Sequence, residues 1–136
     1  MSYGVASALQ SAVFGALSSD AQIAALVGTH VYDAAPRGEA PEIYVTLGDE
    51  RVRDASDKTG IGAIHQMDIV VTTSRPGFAS AKDVAAAVCD VLNHADLNLA
   101  RGRLVSLQFE RAQASRAASN STRQIRLRFR ARVEDQ

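Results

Sequence analysis

Few side chains in this sequence could do chemistry on their own: one cysteine, Cys89, and three histidines, His30, His65 and His94. A catalytic thiol needs a neighbouring base, a group to hold an oxyanion, and a helix N-terminus or cation to lower its pKa. Cys89 falls in the middle of an apolar-periodic segment beside Val88, so a structural thiol is expected. A metal centre needs two or more ligands at short helical or hairpin spacing. Only Asp90 and His94 offer that, four residues apart on one expected helix, and a histidine near a helix C-terminus equally suits the macrodipole. There is no phosphate-cradling glycine loop, no nucleophile elbow and no HExxH. Gly60-Ile61-Gly62 lies between a loop and a strand, the wrong context for a dinucleotide turn. No catalytic residue, metal ligand or cofactor site is expected, and the chain reads as a structural subunit of a larger assembly, not an enzyme.

The informative pattern is cationic. Ile125, Leu127, Phe129, Ala131 and Val133 alternate with Arg126, Arg128, Arg130 and Arg132. Period two is the signature of a strand, so the apolar set faces a core and four guanidiniums share the opposite face. Such neighbours stand about 6.8 Å apart, which costs roughly 0.6 kcal/mol per pair in water before salt screening. That cost is small enough for the ladder to exist unpaired. Three roles fit it: a solvated face with cross-strand partners such as Glu110 or Asp68, a contact with carboxylates of a neighbouring subunit, for which the planar arginine fork is suited, or a phosphate contact. A second candidate contact is the polar stretch that includes Arg53, Asp54, Asp57, Lys58 and Thr59. It reads either as a mobile hairpin tip or as a loop that orders on assembly.

The elements that would position these groups follow from periodicity. A helix is expected from Ser2, a suitable cap, to Leu17, with Val5, Leu9, Val13 and Leu17 on one face. A short helix from Asp20 ends at Gly28. Residues 30–32 read as extended, and Ala35-Pro36-Arg37-Gly38 as a turn. Glu42–Leu47 and Ala63–Thr73 read as strands of a long hairpin, with Asp49–Asp54 leading into its tip. A helix is expected from Ser80 to His94, opened by a capping box of Ser80 with Asp83. Two strands follow: Arg103–Glu110, with Val105, Leu107 and Phe109 inward, and Thr122–Val133, joined by the small polar stretch 113–121. This order predicts one α+β domain over residues 1–136, an antiparallel sheet of about four main strands with helices packed on one face.

Bulk properties bound the function. A chain of 136 residues is one domain by size and can bury enough surface to fold without disulfides or metal. Aromatic residues make up 5% and tryptophan is absent, which argues against a sugar cleft or a base-stacking platform. A lone cysteine excludes an intrachain disulfide and fits a reducing compartment. No apolar run of about 18 residues predicts a helical membrane span, and the Met1–Val5 start lacks the basic residues of a secretion signal. Net charge is zero but polarised: residues 1–100 hold 6 Lys/Arg against 12 Asp/Glu, and residues 101–136 hold 9 Arg against 3 acids. An acidic front and a basic tail permit head-to-tail pairing of copies, or pairing within one copy.

Several segments in order resemble the small tail-completion or tail-terminator proteins of long-tailed phages and phage-derived gene transfer particles. They are residues 24–36 (Ala24 to Pro36), Pro41–Glu50, Asp57-Lys58-Thr59-Gly60, Arg103–Glu110 and Arg126–Arg130. The resemblance runs from about residue 5 to 133. It implies an α+β subunit of a ring, typically hexameric, at the head-proximal end of a tail tube, which stops tube growth and joins the tail to the neck. The partners it implies are further copies of the chain, the tail tube protein and a neck or stopper protein, with DNA only in transit and no membrane. Assembly in the bacterial cytoplasm and residence in the particle are implied as well, and the family offers no catalytic residue to carry over. Two other readings are a neck stopper or head–tail adaptor, and a small-molecule-binding regulatory domain, which would require a pocket with converging polar groups.

Overall fold

In the computed structural model, which describes residues 3–117 and 121–135, the chain runs α1 (Ala6–Ser19), α2 (Ala21–Val27), β1 (Val31–Tyr32), β2 (Ile43–Asp54), β3 (Ile61–Thr73), α3 (Ala79–Leu92), β4 (Arg103–Arg116) and β5 (Arg123–Asp135). The strands form one sheet in the order β1-β2-β3-β5-β4. The four long strands are antiparallel neighbours, as expected, and the two-residue β1 adds a fifth, parallel to β2. The last strand in the chain thus fills the gap between β3 and β4.

The helices cover one face only. Val5, Leu9, Val13 and Leu17 of the first helical segment are buried, as are Val84, Ala87, Val88 and Leu92 of α3. Facing them from the sheet are Ile69, Val71, Leu127, Phe129, Ala131 and Val133, each at most 2% exposed. Asp20 caps α2, its Oδ2 accepting the Ile23 amide at 3.0 Å. Gly28 closes α2 at φ +63° with its amide on Ala24 O, a conformation glycine adopts without a Cβ clash.

Some boundaries differ from those expected. Ser2 lies outside the described residues, and α1 starts at Ala6 with no side-chain cap. The N-cap position of α3 is Phe78, so Ser80 and Asp83 stand inside the helix and form no capping box. Helix α3 stops at Leu92, and His94 lies beyond it at φ +62°, a left-handed conformation in which histidine is enriched. The Asp90–His94 helical pair therefore does not exist. Strand β2 continues through the charged stretch to Asp54, after a register shift between Leu47 and Glu50. Gly48 sits at that bulge, where a Cβ would press on Val70 and Asp68 atoms at 3.2–3.3 Å.

Strand β4 overturns one member of the expected inward set, Val105. It runs on to Arg116, and register shifts between Leu104 and Ser106 and between Phe109 and Arg111 break its alternation. Leu104 and Leu107 are buried and Val105 is 41% exposed, while Phe109 keeps the inward parity opposite Phe129, ring centroids 5.9 Å apart, and stays part-exposed at the sheet edge. An extra residue in one strand reverses the side-chain parity on its far side, so strict period two fails there. The expected outcome is that Leu107→Ala costs about 2–5 kcal/mol and Val105→Ala less than about 0.5 kcal/mol, measured by urea unfolding.

Candidate interaction site on the open sheet face

Beneath the helices the sheet is filled with apolar side chains, whereas its other face carries no helix. The β3 residues on that open face, Ile64, Asp68, Val70 and Thr72, are nonetheless buried. Their cross-strand neighbours on β5 are Arg132, Arg128, Arg126 and Gln124, and long arginine stems cover apolar surface while their heads reach water.

The four arginines of β5 do not act alike. Asp68, 4% exposed, takes two of them: Arg126 Nη1 donates to Oδ2 at 3.1 Å and Arg128 Nε to Oδ1 at 3.0 Å. One carboxylate thus serves two guanidiniums, and its hydrogen bond to Arg128 holds that residue's pKa above the ordinary arginine value. Arg132 donates to Ala55 O at 3.3 Å, which ties the ladder to the β2–β3 tip. Among the described residues Arg130 makes no ion pair; it lies between Gln66 and Gln108 across the strands. The cross-strand partners named from sequence are both on this face: Asp68 in the double pair, and Glu110 accepting Gln66 Nε2 at 3.0 Å.

The second candidate stretch divides. Arg53 and Asp54 belong to β2, and Arg53 is level with Ile64 and Arg132 in one row on the open face. Asp57, Lys58 and Thr59 form the tip, which closes as a hydrogen-bonded turn. Asp57 Oδ1 accepts the Thr59 amide and hydroxyl at 2.8 Å and the Gly60 amide at 3.0 Å. Those bonds, the Thr59 hydroxyl first, hold the Asp57 carboxyl below the usual aspartate range. The structure therefore joins the arginine ladder and the hairpin tip at Arg132 and Arg53, and sets Lys58 and Thr59 at one end of the face. Arg51 and Arg111 share this face without an ion pair among the described residues. The sequence reading passed over both, although parity along β2 would have found Arg51.

The other reactive groups are accounted for structurally. Burial, and then the nearby Asp90 charge, push the Cys89 thiol above its usual pKa, opposite to what a nucleophile needs. His30 Nδ1 lies 2.7 Å from the Tyr32 hydroxyl. His65 is fully buried under the helices, with Nδ1 3.0 Å from Glu50 Oε2 and Nε2 without a partner. Tyr3 donates to the other Glu50 oxygen at 2.7 Å and stacks on the His65 ring. An Nδ1–H tautomer satisfies this arrangement and leaves Nε2 as a bare acceptor. The hollow beside it, lined by Gln10, Val13, Leu47 and Met67, measures about 40 Å³, far below the several hundred Å³ of an ordinary ligand pocket.

Residues 11–134 match a family model described as tail completion protein gp17. A search of curated proteins returns no match. Among solved structures, a chain from the virion of a native gene transfer agent particle superposes with a TM-score of 0.93 at 59% identity, covering 98% of this chain and 99% of that one.

Two outcomes are expected. Asp68→Asn removes the shared acceptor and should lower stability by about 1.5–3 kcal/mol, as for a hydrogen bond to a charged group, read by denaturant unfolding. For Asp57, whose folded pKa is depressed, the stabilisation of the tip is complete above the unfolded value and is lost as pH falls through the folded one. Amide exchange at Thr59 and Gly60 should therefore show a loss of protection on acidification below about pH 4, and Asp57→Asn should show that loss already at neutral pH.

Proposed function

The chain belongs to the tail completion protein gp17 family, and on that premise we propose that it is a non-catalytic terminator subunit of a phage-like particle. Copies close into a ring, typically of six, on the head-proximal end of the tail tube. The ring ends tube growth and presents the surface that meets the neck. The observation that carries this reading is the 59% identity, over nearly the full length of both chains, to a component of a gene transfer agent virion. Its partners are then further copies of itself, the tube protein and a neck or stopper protein, with DNA passing through the ring. Assembly takes place in the bacterial cytoplasm, and the subunit stays in the finished particle.

The physical features support a mechanical role. A rotational ring is made of heterologous contacts, two different patches on each subunit. The open face supplies cations with no ion pair among the described residues, Arg130 and Arg53, beside the Lys58–Thr59 tip. Arg126 and Arg128 are held by Asp68 and serve the fold first. The reading therefore assigns the contact with a neighbour's carboxylates to Arg130, Arg132 and Arg53.

The test is mass by light scattering with and without purified tail tubes, together with electron microscopy of the tube ends. A closed oligomer, or a monomer captured at one tube end, is expected. Binding to the portal side instead would make it a stopper or adaptor, and a monomer that ignores both would end the structural-joint reading. Arg53→Glu with Arg130→Glu should cut tube-end capture by at least tenfold with unfolding stability changed by less than about 1 kcal/mol.

A further inference from the structure

We infer that the open sheet face of one copy seats on helix α3 of the next, where Arg51, Arg53, Arg130 and Arg132 close on Asp83 and Asp90. The inference rests on the ring reading and deepens it by naming the neighbour's carboxylates.

The chain itself shows how strand arginines take a carboxylate here. Arg126 and Arg128 stand two apart on β5 and share Asp68, one on each oxygen at 3.1 and 3.0 Å. Two further pairs with the same spacing lie on the open face: Arg130 and Arg132 on β5, and Arg51 and Arg53 on β2. The register sets them level, Arg51 with Gln66 and Arg130, and Arg53 with Ile64 and Arg132. None of these four makes an ion pair among the described residues, although Arg132 also donates to Ala55 O. β2 and β5 are two strand spacings apart, so the pairs stand about 9.6 Å from one another. A hollow of about 200 Å³ is lined by the β2 pair with Ile64 and Gln66. What fits this face is two carboxylates about 10 Å apart with little bulk between them.

Helix α3 presents that arrangement. α1 and α2 contain no charged residue, whereas α3 has two carboxylates, Asp83 and Asp90. Seven residues are nearly two turns, so both project from one stripe with Cα atoms about 10.5 Å apart. Ala86 lies between them on that stripe, and all three are exposed. Neither carboxylate makes an ion pair among the described residues. With Gln22 and Leu26 of α2 they line a hollow of about 300 Å³ between the two helices. Lys82 stands about 100° round the helix from Asp83 and outside that hollow. Several other acids of the chain already have partners: Glu42 is held by Arg75, Glu134 by Arg103 and Asp135 by Arg101.

Laid across the strands, α3 sets one carboxylate between Arg51 and Arg53 and the other between Arg130 and Arg132, with Ala86 above Ile64 and Gln66. The two spacings differ by about 1 Å, which a long arginine stem absorbs. Each aspartate then takes two guanidiniums, as Asp68 does, and the small alanine lets the helix approach the sheet. The planar arginine fork suits such a contact. The sheet face cannot meet its own copy, because that would set guanidiniums against guanidiniums. Open face and helix layer lie on opposite sides of one subunit, so the contact is heterologous and passes from copy to copy in one direction, as a ring needs.

The test is a charge exchange between two variants of the full chain. Asp83→Arg with Asp90→Arg puts a guanidinium at each acidic position, and Arg53→Glu with Arg130→Glu puts a carboxylate into each arginine pair. Alone, each variant should lose oligomer, free or on tubes, by at least about tenfold. An equimolar mixture should regain at least about fivefold over either alone, because each new guanidinium then meets a new carboxylate. Recovery on mixing can come only from contacts between copies, so it separates a neighbouring subunit from the tube or neck protein as the partner of these arginines. Urea unfolding checks that each variant folds. If the α3 reversal does not fold, Asp83→Asn with Asp90→Asn replaces it and should lower assembly at least about fivefold. Parent-like assembly of the α3 variant, or folded reversals that regain nothing on mixing, would overturn the docking and leave the ring reading standing. No oligomer from the parent chain, with or without tubes, would overturn both.

Discussion

The fold hangs on a single constraint: β5 must be buried on one face and cationic on the other while paired along both of its edges. Its residues Arg123–Asp135 meet β3 across the whole strand and β4 across most of it. A strand in that position cannot turn its arginines away from its neighbours, so the neighbours must accommodate them. Asp68 on β3 does so for two, a backbone carbonyl at Ala55 for a third, and glutamine side chains flank the fourth. Desolvating Asp68 would be costly if it stood alone; two charge-assisted bonds offset that cost. The same pair locks the register of β5 against β3, because a slip of one residue would send every arginine into the apolar layer.

Where the sequence obeyed one period, the structure was legible from it. The alternation of β5, the apolar stripe of α3 and the Asp20 to Gly28 limits of α2 are local signals with local causes. Asp68 was identifiable as a partner from strand parity alone. The failures share a cause as well. Val105 was misplaced because the bulge between Leu104 and Ser106 is set by the partner strand and leaves no reliable mark in the strand that carries it. The charged run Asp49–Asp54 did not look like a strand, yet it pairs with β3 because that strand's apolar side chains need a neighbour. His94 looked helical until the chain had to turn and lay its amide on Leu107.

For the candidate contact, residue types were legible and their allegiances were not. Arg126, Arg128, Arg130 and Arg132 are equivalent in a linear pattern; only the fold separates the two that Asp68 holds from Arg130, which makes no ion pair among the described residues. The row that sets Arg53 level with Arg132 was invisible for a deeper reason. A row is defined by which strands lie side by side, and that follows from strand order, here β5 placed between β3 and β4.

That strand order also governs how the molecule comes into being. β5 is later in the chain than all four of its sheet-mates, so during synthesis β3 has no partner on one side and β4 has none at all. The helix layer likewise has only part of its floor until β5 emerges. Long-range pairing of this kind closes large loops before it gains contacts, and it is slow for that reason. Until β5 is made, β3 and β4 cannot be brought into one sheet, because the strand that lies between them is the last in the chain. The closing strand is also the one that carries the arginine ladder, so the cationic face exists only in the finished sheet.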